Sequence, residues 1–184
     1  MKVAQWGYLV FTRERIVFFS GELNGKGTWR LVGPIEDQLH AMALKDKNSP
    51  VIFCITSPGG YLDSSYGFFE RIILFGPKNI HTVALDDVSS AALFLYIAGK
   101  RRFVAPHTTF FIHTINTHID EYCKNIAAAC KNPNVTADLI GRLMTKKGTE
   151  LAAHDALNMG LAHELLTPTD EENLRSWRDA YTTL

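Results

Sequence analysis

The apolar residues of this chain come in short dense runs separated by Gly, Pro and charged positions. Residues 16–19 (Ile-Val-Phe-Phe), 51–55 (Val-Ile-Phe-Cys-Ile) and 80–85 are rich in β-branched and aromatic side chains, the composition of buried strands. Continuous apolar runs of this kind suit a sheet covered on both faces. Shorter strands are expected at 103–105, 109–112 and 161–165, and residues 5–11 read as a short edge strand or an ordered arm. Between these runs the period lengthens. Residues 62–75, 117–131, 136–147, 149–159 and 170–181 read as helices, and 91–98 as a buried, Ala-rich one. A helical pattern also begins at Thr28, but Gly33-Pro34 predicts a break, with helix from Pro34 to Lys45. Thr136 stands as an N-cap, and Gly148 and Gly160 as helix stops. Strands alternating with helices through short links predict an α/β fold with largely parallel strands.

Composition adds bounds to that pattern. At 184 residues and 46% apolar content, the chain reads as one domain able to bury a core without staples. Lys+Arg and Asp+Glu stand at 19 each, so no basic footprint points to nucleic acid or an anionic membrane surface. No apolar run approaches the length of a membrane span, and the residues before Arg13 hold no signal-peptide core. Cys54, Cys123 and Cys130 lack framework spacing, which predicts reduced thiols and a cytoplasmic location.

Two places carry candidate chemistry. Residues 83–85 read as the end of a buried strand, followed by Asp86, Asp87, Val88, Ser89 and Ser90, and then the apolar helix. A serine at such a corner lies beside free backbone N–H groups, which favour a developing oxyanion. His113, at the end of the 109–112 run, would serve as its base. The second place is Thr56-Ser57-Pro58-Gly59-Gly60, a glycine turn between strand and helix that leaves N–H groups exposed. Each pattern alone also fits a plain helix cap or a tight turn. His107, His113 and His118 are spaced by six and five, without a ligand pattern, so no metal is expected.

Five blocks in order resemble the ClpP proteolytic subunits of the Clp protease family and the wider ClpP/crotonase fold. They are Arg15-Ile-Val-Phe-Phe-Ser-Gly, Ile55-Thr-Ser-Pro-Gly-Gly, Ser90-Ala-Ala-Leu-Phe-Leu-Tyr-Ile-Ala-Gly, Phe111-Ile-His113, and Leu151-Ala-Ala-His-Asp-Ala-Leu-Asn-Met-Gly-Leu. The third is similar to the family's Ser-Met-Gly-Ala-Phe-Leu-Leu-Ala-Ala-Gly, and the fourth to its Met-Ile-His. The resemblance implies repeated β-β-α spiral units in one domain, with a core over about 15–166, a shortened handle over about 114–148 and a C-terminal helix over about 170–181. It implies a serine peptidase with Ser90 as nucleophile, nine residues before Gly99, and His113 as general base. Ser89 is the fallback if the corner slips by one. Gly60 and Ala91 would supply the backbone N–H groups of an oxyanion hole. The implied partners are a peptide or unfolded protein substrate, further copies in a ring-like homo-oligomer, and an ATP-dependent unfoldase. No cofactor is implied.

The chain departs from the family in ways that bear on activity. The family's catalytic acid stands three residues before the Leu-Ser-Ala block, and that place is Gly148. Substitutes available in the sequence are Asp86, Asp87, Asp138 and Glu150, with Asp86 and Asp87 more naturally read as caps of the serine helix. The resulting expectation is a Ser–His dyad without a well-placed acid, slower than a full triad, in which Gly148→Asp restores turnover if the backbone does not require glycine. Thr114 replaces the family's Gln-Pro start, and the handle lacks its glycine-rich strand. A catalytically impaired subunit with a structural role is the alternative reading, and a crotonase-type acyl-CoA enzyme ranks last.

Overall fold

The apolar runs become the strands of one seven-stranded sheet. The computed structural model describes residues 4–6, 9–11, 13–23, 28–76, 78–115, 119–130 and 132–182. The first described segment is a separate antiparallel pair, β1 (Ala4–Trp6) and β2 (Leu9–Phe11). The main sheet follows the path β3 (Ile16–Ser20), β4 (Val51–Ser57), β5 (Ile80–Ser89), β6 (Arg102–Val104) and β9 (Glu164–Leu165), with every neighbouring pair parallel. The far end of β5 pairs in parallel with β7 (Thr109–Ile112), and β8 (Thr149–Ala152) returns antiparallel against β7. Helices α1 (Thr28–Lys45), α2 (Leu62–Phe75), α3 (Ala92–Ile97), α4 (Ile119–Cys130), α5 (Ala137–Leu143), α6 (Ala153–Asn158) and α7 (Pro168–Thr182) fill the connections.

Strand side chains alternate between the two faces. On one face Val17, Phe53, Ile55 and Ala84 pack with Leu39 of α1, Phe68 of α2, Phe94 of α3 and Tyr122 of α4. On the other, Ile16, Ile52, Cys54, Val83, Leu85 and Phe103 meet Leu174 and Trp177 of α7. Covering both faces explains why β4 is apolar at almost every position rather than alternating. Cys54, Cys123 and Cys130 are free and buried. Burial pushes the Cys130 thiol up to about 11 and raises those of Cys54 and Cys123 above the ordinary thiol value.

Several elements differ from the sequence expectations. Helix α1 runs through Gly33-Pro34 without a break. Pro34 removes one helical N–H donor, and the burial of Val32, Leu39 and Ala43 holds the helix together across it. Residues 149–159, expected to be helical, are strand β8 followed by the short α6. Pairing with β7, a contact between segments far apart in the chain, overrides the local helical pattern. Helix α5 is capped by Thr136, whose hydroxyl accepts from Leu139 N–H, but ends at Leu143. A tight turn over 145–148 follows, with Gly148 N–H donating to the Thr145 carbonyl. Strand β5 continues beyond Leu85, to Ser89. Its register against β4 shifts between Ile55 and Ser57, a bulge that takes in Asp86 and Asp87. Thr117, His118 and Lys131 lie outside the described residues. Among the described residues, no helix is long and apolar enough to cross a membrane.

Candidate active site

The end of β5 positions the candidate nucleophile. Ser89 closes the strand, α3 begins at Ala92, and the turn between them puts Ser90 at φ 54°. Among the described residues Ser90 alone combines a side chain with positive φ, a conformation that L-residues adopt at a cost of about 1–2 kcal/mol. Three contacts hold it there. Ser90 N–H donates to the Phe111 carbonyl at 2.7 Å, and the Ser90 carbonyl accepts from Leu93 N–H at 3.1 Å and from the Tyr122 hydroxyl at 3.2 Å. The strained turn aims Oγ out of the carboxyl end of the sheet, where open α/β sheets present their ligand sites.

Parallel pairing brings the base to the same end. Val88 faces Phe110 and Ser89 faces Phe111, so the chain leaving β7 carries His113 past Ser90. His113 Nε2 lies 2.7 Å from Ser90 Oγ. Its other nitrogen, Nδ1, lies 2.8 Å from the Thr114 carbonyl. A carbonyl only accepts, so Nδ1 carries the ring proton and Nε2 presents a lone pair to the Ser90 hydroxyl. Thr114 is itself fixed, its hydroxyl donating to the Met144 carbonyl at 2.9 Å and its N–H to the Thr145 carbonyl at 3.3 Å. The Phe111 ring completes the surroundings, stacked on the imidazole with centroids 5.6 Å apart and planes inclined by 28°.

The glycine turn abuts this pair. A Cβ placed on Gly59 would stand 2.8 Å from Ser90 Cβ and 3.1 Å from Ala91 N, which no real side chain tolerates. Leu23 bridges the turn from its other side, donating N–H to the Gly59 carbonyl at 2.7 Å and accepting from Tyr61 N–H at 2.6 Å. That bridge uses groups of Gly59 and Tyr61, so the N–H and C=O of Gly60 point to the opposite edge. Gly59 thus packs directly against Ser90 and Ala91.

The carboxylates behave differently from the sequence expectation. Asp86 does not cap the serine helix. It turns to α7, accepting from Arg175 at 2.7 Å and Arg178 at 2.8 Å, with the Thr56 hydroxyl at 3.3 Å. Burial alone would raise its pKa, but hydrogen bonds and charge from the two arginines hold it below the usual carboxylate range. Asp87 is exposed inside the β5 bulge, and Asp138 is exposed on α5. Glu150 pairs across from Phe111 and is exposed. Among the described residues, no carboxylate hydrogen-bonds to His113. Gly148 adopts φ 77°, and a Cβ there would stand 2.0 Å from Phe111 Cζ, so the condition attached to Gly148→Asp is not met. Thr114, Tyr122 and Phe111 are the contributors that sequence reasoning missed. Only the substitution of Thr114 for Gln-Pro drew attention to one of them.

A family model described as Clp protease matches residues 3–168, about nine tenths of the chain. The chain belongs to the Clp protease family. Family resemblance extends to an ATP-dependent Clp protease proteolytic subunit of Paracoccus denitrificans, 24% identical over 164 residues that cover 77% of this chain and 82% of that one. Proteolytic subunit 1 of Chlamydia pneumoniae is 32% identical over 100 residues, covering 54% of this chain and 50% of that one. The chain thus spans about half the length of several curated relatives it matches. Among solved structures, a point mutant of ClpP1 from Listeria monocytogenes superposes with a TM-score of 0.72 at 22% identity, covering 86% of this chain and 94% of that one. ClpP1 from the same organism, without the mutation, gives 0.68 at 23% identity, covering 83% of this chain and 91% of that one. The Clp protease fold is therefore shared, including the mostly parallel sheet whose carboxyl end carries Ser90 and His113.

Proposed function

We propose that this chain is a serine peptidase that cuts peptide bonds through an acyl-enzyme on Ser90, with His113 as general base. The 2.7 Å approach of His113 Nε2 to Ser90 Oγ carries the reading. A hydroxyl is a poor nucleophile until a neighbouring base takes its proton. As Oγ bonds to the peptide carbonyl carbon, its proton moves to Nε2 and the carbonyl π pair moves onto oxygen. The Gly60 and Ala91 amides would donate to that oxyanion. Collapse breaks the C–N bond, and the departing amine takes the proton from Nε2. Water, giving its proton to the same imidazole, then attacks the ester, releases the acid and regenerates Ser90. None of these steps calls on a cofactor.

The pair acts as a dyad. Its imidazolium is held by a neutral carbonyl where a triad offers a carboxylate, and loss of the acid in another serine protease lowers turnover about 10⁴-fold. Turnover here is accordingly slow. The outward edge of Gly60 suits an extended peptide, added as a further strand.

Assembly into a ring-like homo-oligomer belongs to the same proposal, as does a cytoplasmic location. Assembly is supported by Leu44, Ile73 and Leu74, which the single chain leaves 62, 43 and 64% exposed. A peptide substrate would be delivered by an ATP-dependent unfoldase; the names of the relatives describe them as subunits of an ATP-dependent protease. Light scattering should give a mass of several chains, and a single-chain mass would remove the assembly from the proposal. The catalytic reading is tested with a fluorophosphonate probe. Intact-mass and peptide analysis should find one adduct on Ser90, lost in Ser90→Ala and reduced in His113→Ala. An unlabelled native protein, or an adduct on another residue, overturns it.

A further inference from the structure

The side chains along β7 divide by alternation into two sets. Phe110 and Ile112 are buried in the core, while Thr109 and Phe111 are half-buried on the side that continues to His113. Phe111 is therefore not simply core packing. Its ring makes two contacts that bear on the site. Along its own strand it stacks on the His113 imidazole, with centroids 5.6 Å apart. Across the antiparallel β7–β8 pair its tip lies over the Cα of Gly148. Ile112 pairs with Thr149, so continuing the antiparallel register by one residue puts Gly148 opposite His113. A side chain at 148 would thus be the direct cross-strand neighbour of the imidazole, and the Phe111 ring stands where that side chain would go.

We propose that Phe111 positions the His113 imidazole in place of a carboxylate, and that residue 148 is glycine because the Phe111 ring occupies the space a side chain there would need. The inference rests on the reading of Ser90 and His113 as a catalytic pair. Two effects follow from the stack. The ring limits rotation of the imidazole about its χ2, so Nε2 stays aimed at Ser90 while Nδ1 stays on the Thr114 carbonyl. Its π face also favours the imidazolium that forms during attack, though less than a carboxylate would. Phe111 and Gly148 then behave as a unit. Adding a Cβ at 148 meets Phe111 Cζ at 2.0 Å and Cε2 at 2.3 Å, so no carboxylate can be introduced while the ring stays in place. Methionine at 111 keeps apolar bulk on an unbranched chain that bends aside, and it lacks a ring face. At the positive φ of 77° any side chain at 148 is strained, Asp less than most, so the double variant keeps the backbone strain while relieving the clash with the ring.

Four proteins test this: the native chain, Phe111→Met, Gly148→Asp, and the double variant. Each is assayed for kcat and KM on a small activated ester, and the imidazole nitrogens of His113 are followed by ¹⁵N NMR for tautomer. Phe111→Met should lower kcat about tenfold at nearly constant KM and mix the two tautomers. Gly148→Asp alone should lose at least as much activity, or fail to fold. The double variant should exceed the native kcat and return His113 to a single tautomer. Such non-additivity is the mark of two residues sharing one space. An active, folded Gly148→Asp with native or higher kcat overturns the proposal. So does a Phe111→Met protein whose kcat and His113 tautomer match those of the native chain. The NMR arm separates this proposal from the catalytic reading. If the native chain neither turns over ester nor labels at Ser90, yet the His113 tautomer responds to Phe111→Met, the catalytic reading fails and the positioning role of Phe111 stands.

Discussion

Ser90 holds φ 54° because Phe111, Leu93 and Tyr122 together fix its backbone. That strain should be measurable by comparing two variants at this position. Ser90→Gly removes the conflict between Cβ and the left-handed backbone, whereas Ser90→Ala keeps it. By thermal or urea unfolding, Ser90→Gly should be about 1 kcal/mol more stable than Ser90→Ala, and equal stabilities would mean that the turn carries no strain. Thr114 offers a second test at this scale. In Thr114→Val the hydroxyl that holds the 114 peptide to Met144 is gone, so the carbonyl drifts from His113 Nδ1. The expected result is a kcat about tenfold lower with KM unchanged, alongside a loss of about 1 kcal/mol in stability. The proposed nucleophile and base, Ser90 and His113, were named from the sequence because their spacing to Gly99 and the Phe-Ile-His block resemble the family. Thr114, Phe111 and Tyr122 were not. Each acts through a contact set by strand pairing or helix docking, and none has a local pattern that announces it.

Among the elements, the long apolar strands and α2 were readable from periodicity, and the errors fell where distant pairing decides. Strand β8 carries Thr-Glu-Leu-Ala, a sequence equally at home in a helix, and becomes a strand only because the edge of β7 is there to receive it. The β5 bulge is likewise invisible in sequence, yet it turns Asp86 away from the serine corner and toward α7. Helix α7 is therefore fastened to the sheet by a partly exposed cluster of one carboxylate and two arginines. Because the folded-state pKa of Asp86 lies below its unfolded value, the cluster stabilises the fold fully above that unfolded value. Its contribution disappears as pH falls through the lower, folded-state value. Asp86→Asn should cost about 1 kcal/mol at neutral pH and low salt, less at high salt, and nothing once the native carboxyl is protonated. A Tm difference that persists unchanged into strong acid would show that the carboxylate charge is not what holds α7.

Across the whole molecule, the two-faced sheet was foreseeable from uninterrupted apolar runs, since a strand buried on one side alternates. No local pattern warned that His81, at the start of β5, lies buried with its pKa down to about 4. Burial is the main cause, with Arg101 and Lys100 adding to it. A histidine that folds neutral takes up its proton only on unfolding, so stability is complete above about 6.5, the unfolded value, and falls as pH drops from there toward about 4. The loss is of the order of 3 kcal/mol at most, and His81→Gln should flatten the stability profile between those two values. Equal acid sensitivity in the variant would assign the effect to another group. The buried thiols have a different consequence. With all three shielded and two on α4, the native protein should resist maleimide, and any labelling records a momentary opening. Cys123 adjoins Tyr122, whose hydroxyl steadies Ser90, whereas Cys54 sits in the central strand β4. The labelling rate of Cys123 relative to Cys54 is thus a clock for how often the Ser90 corner comes apart while the rest of the molecule stays closed.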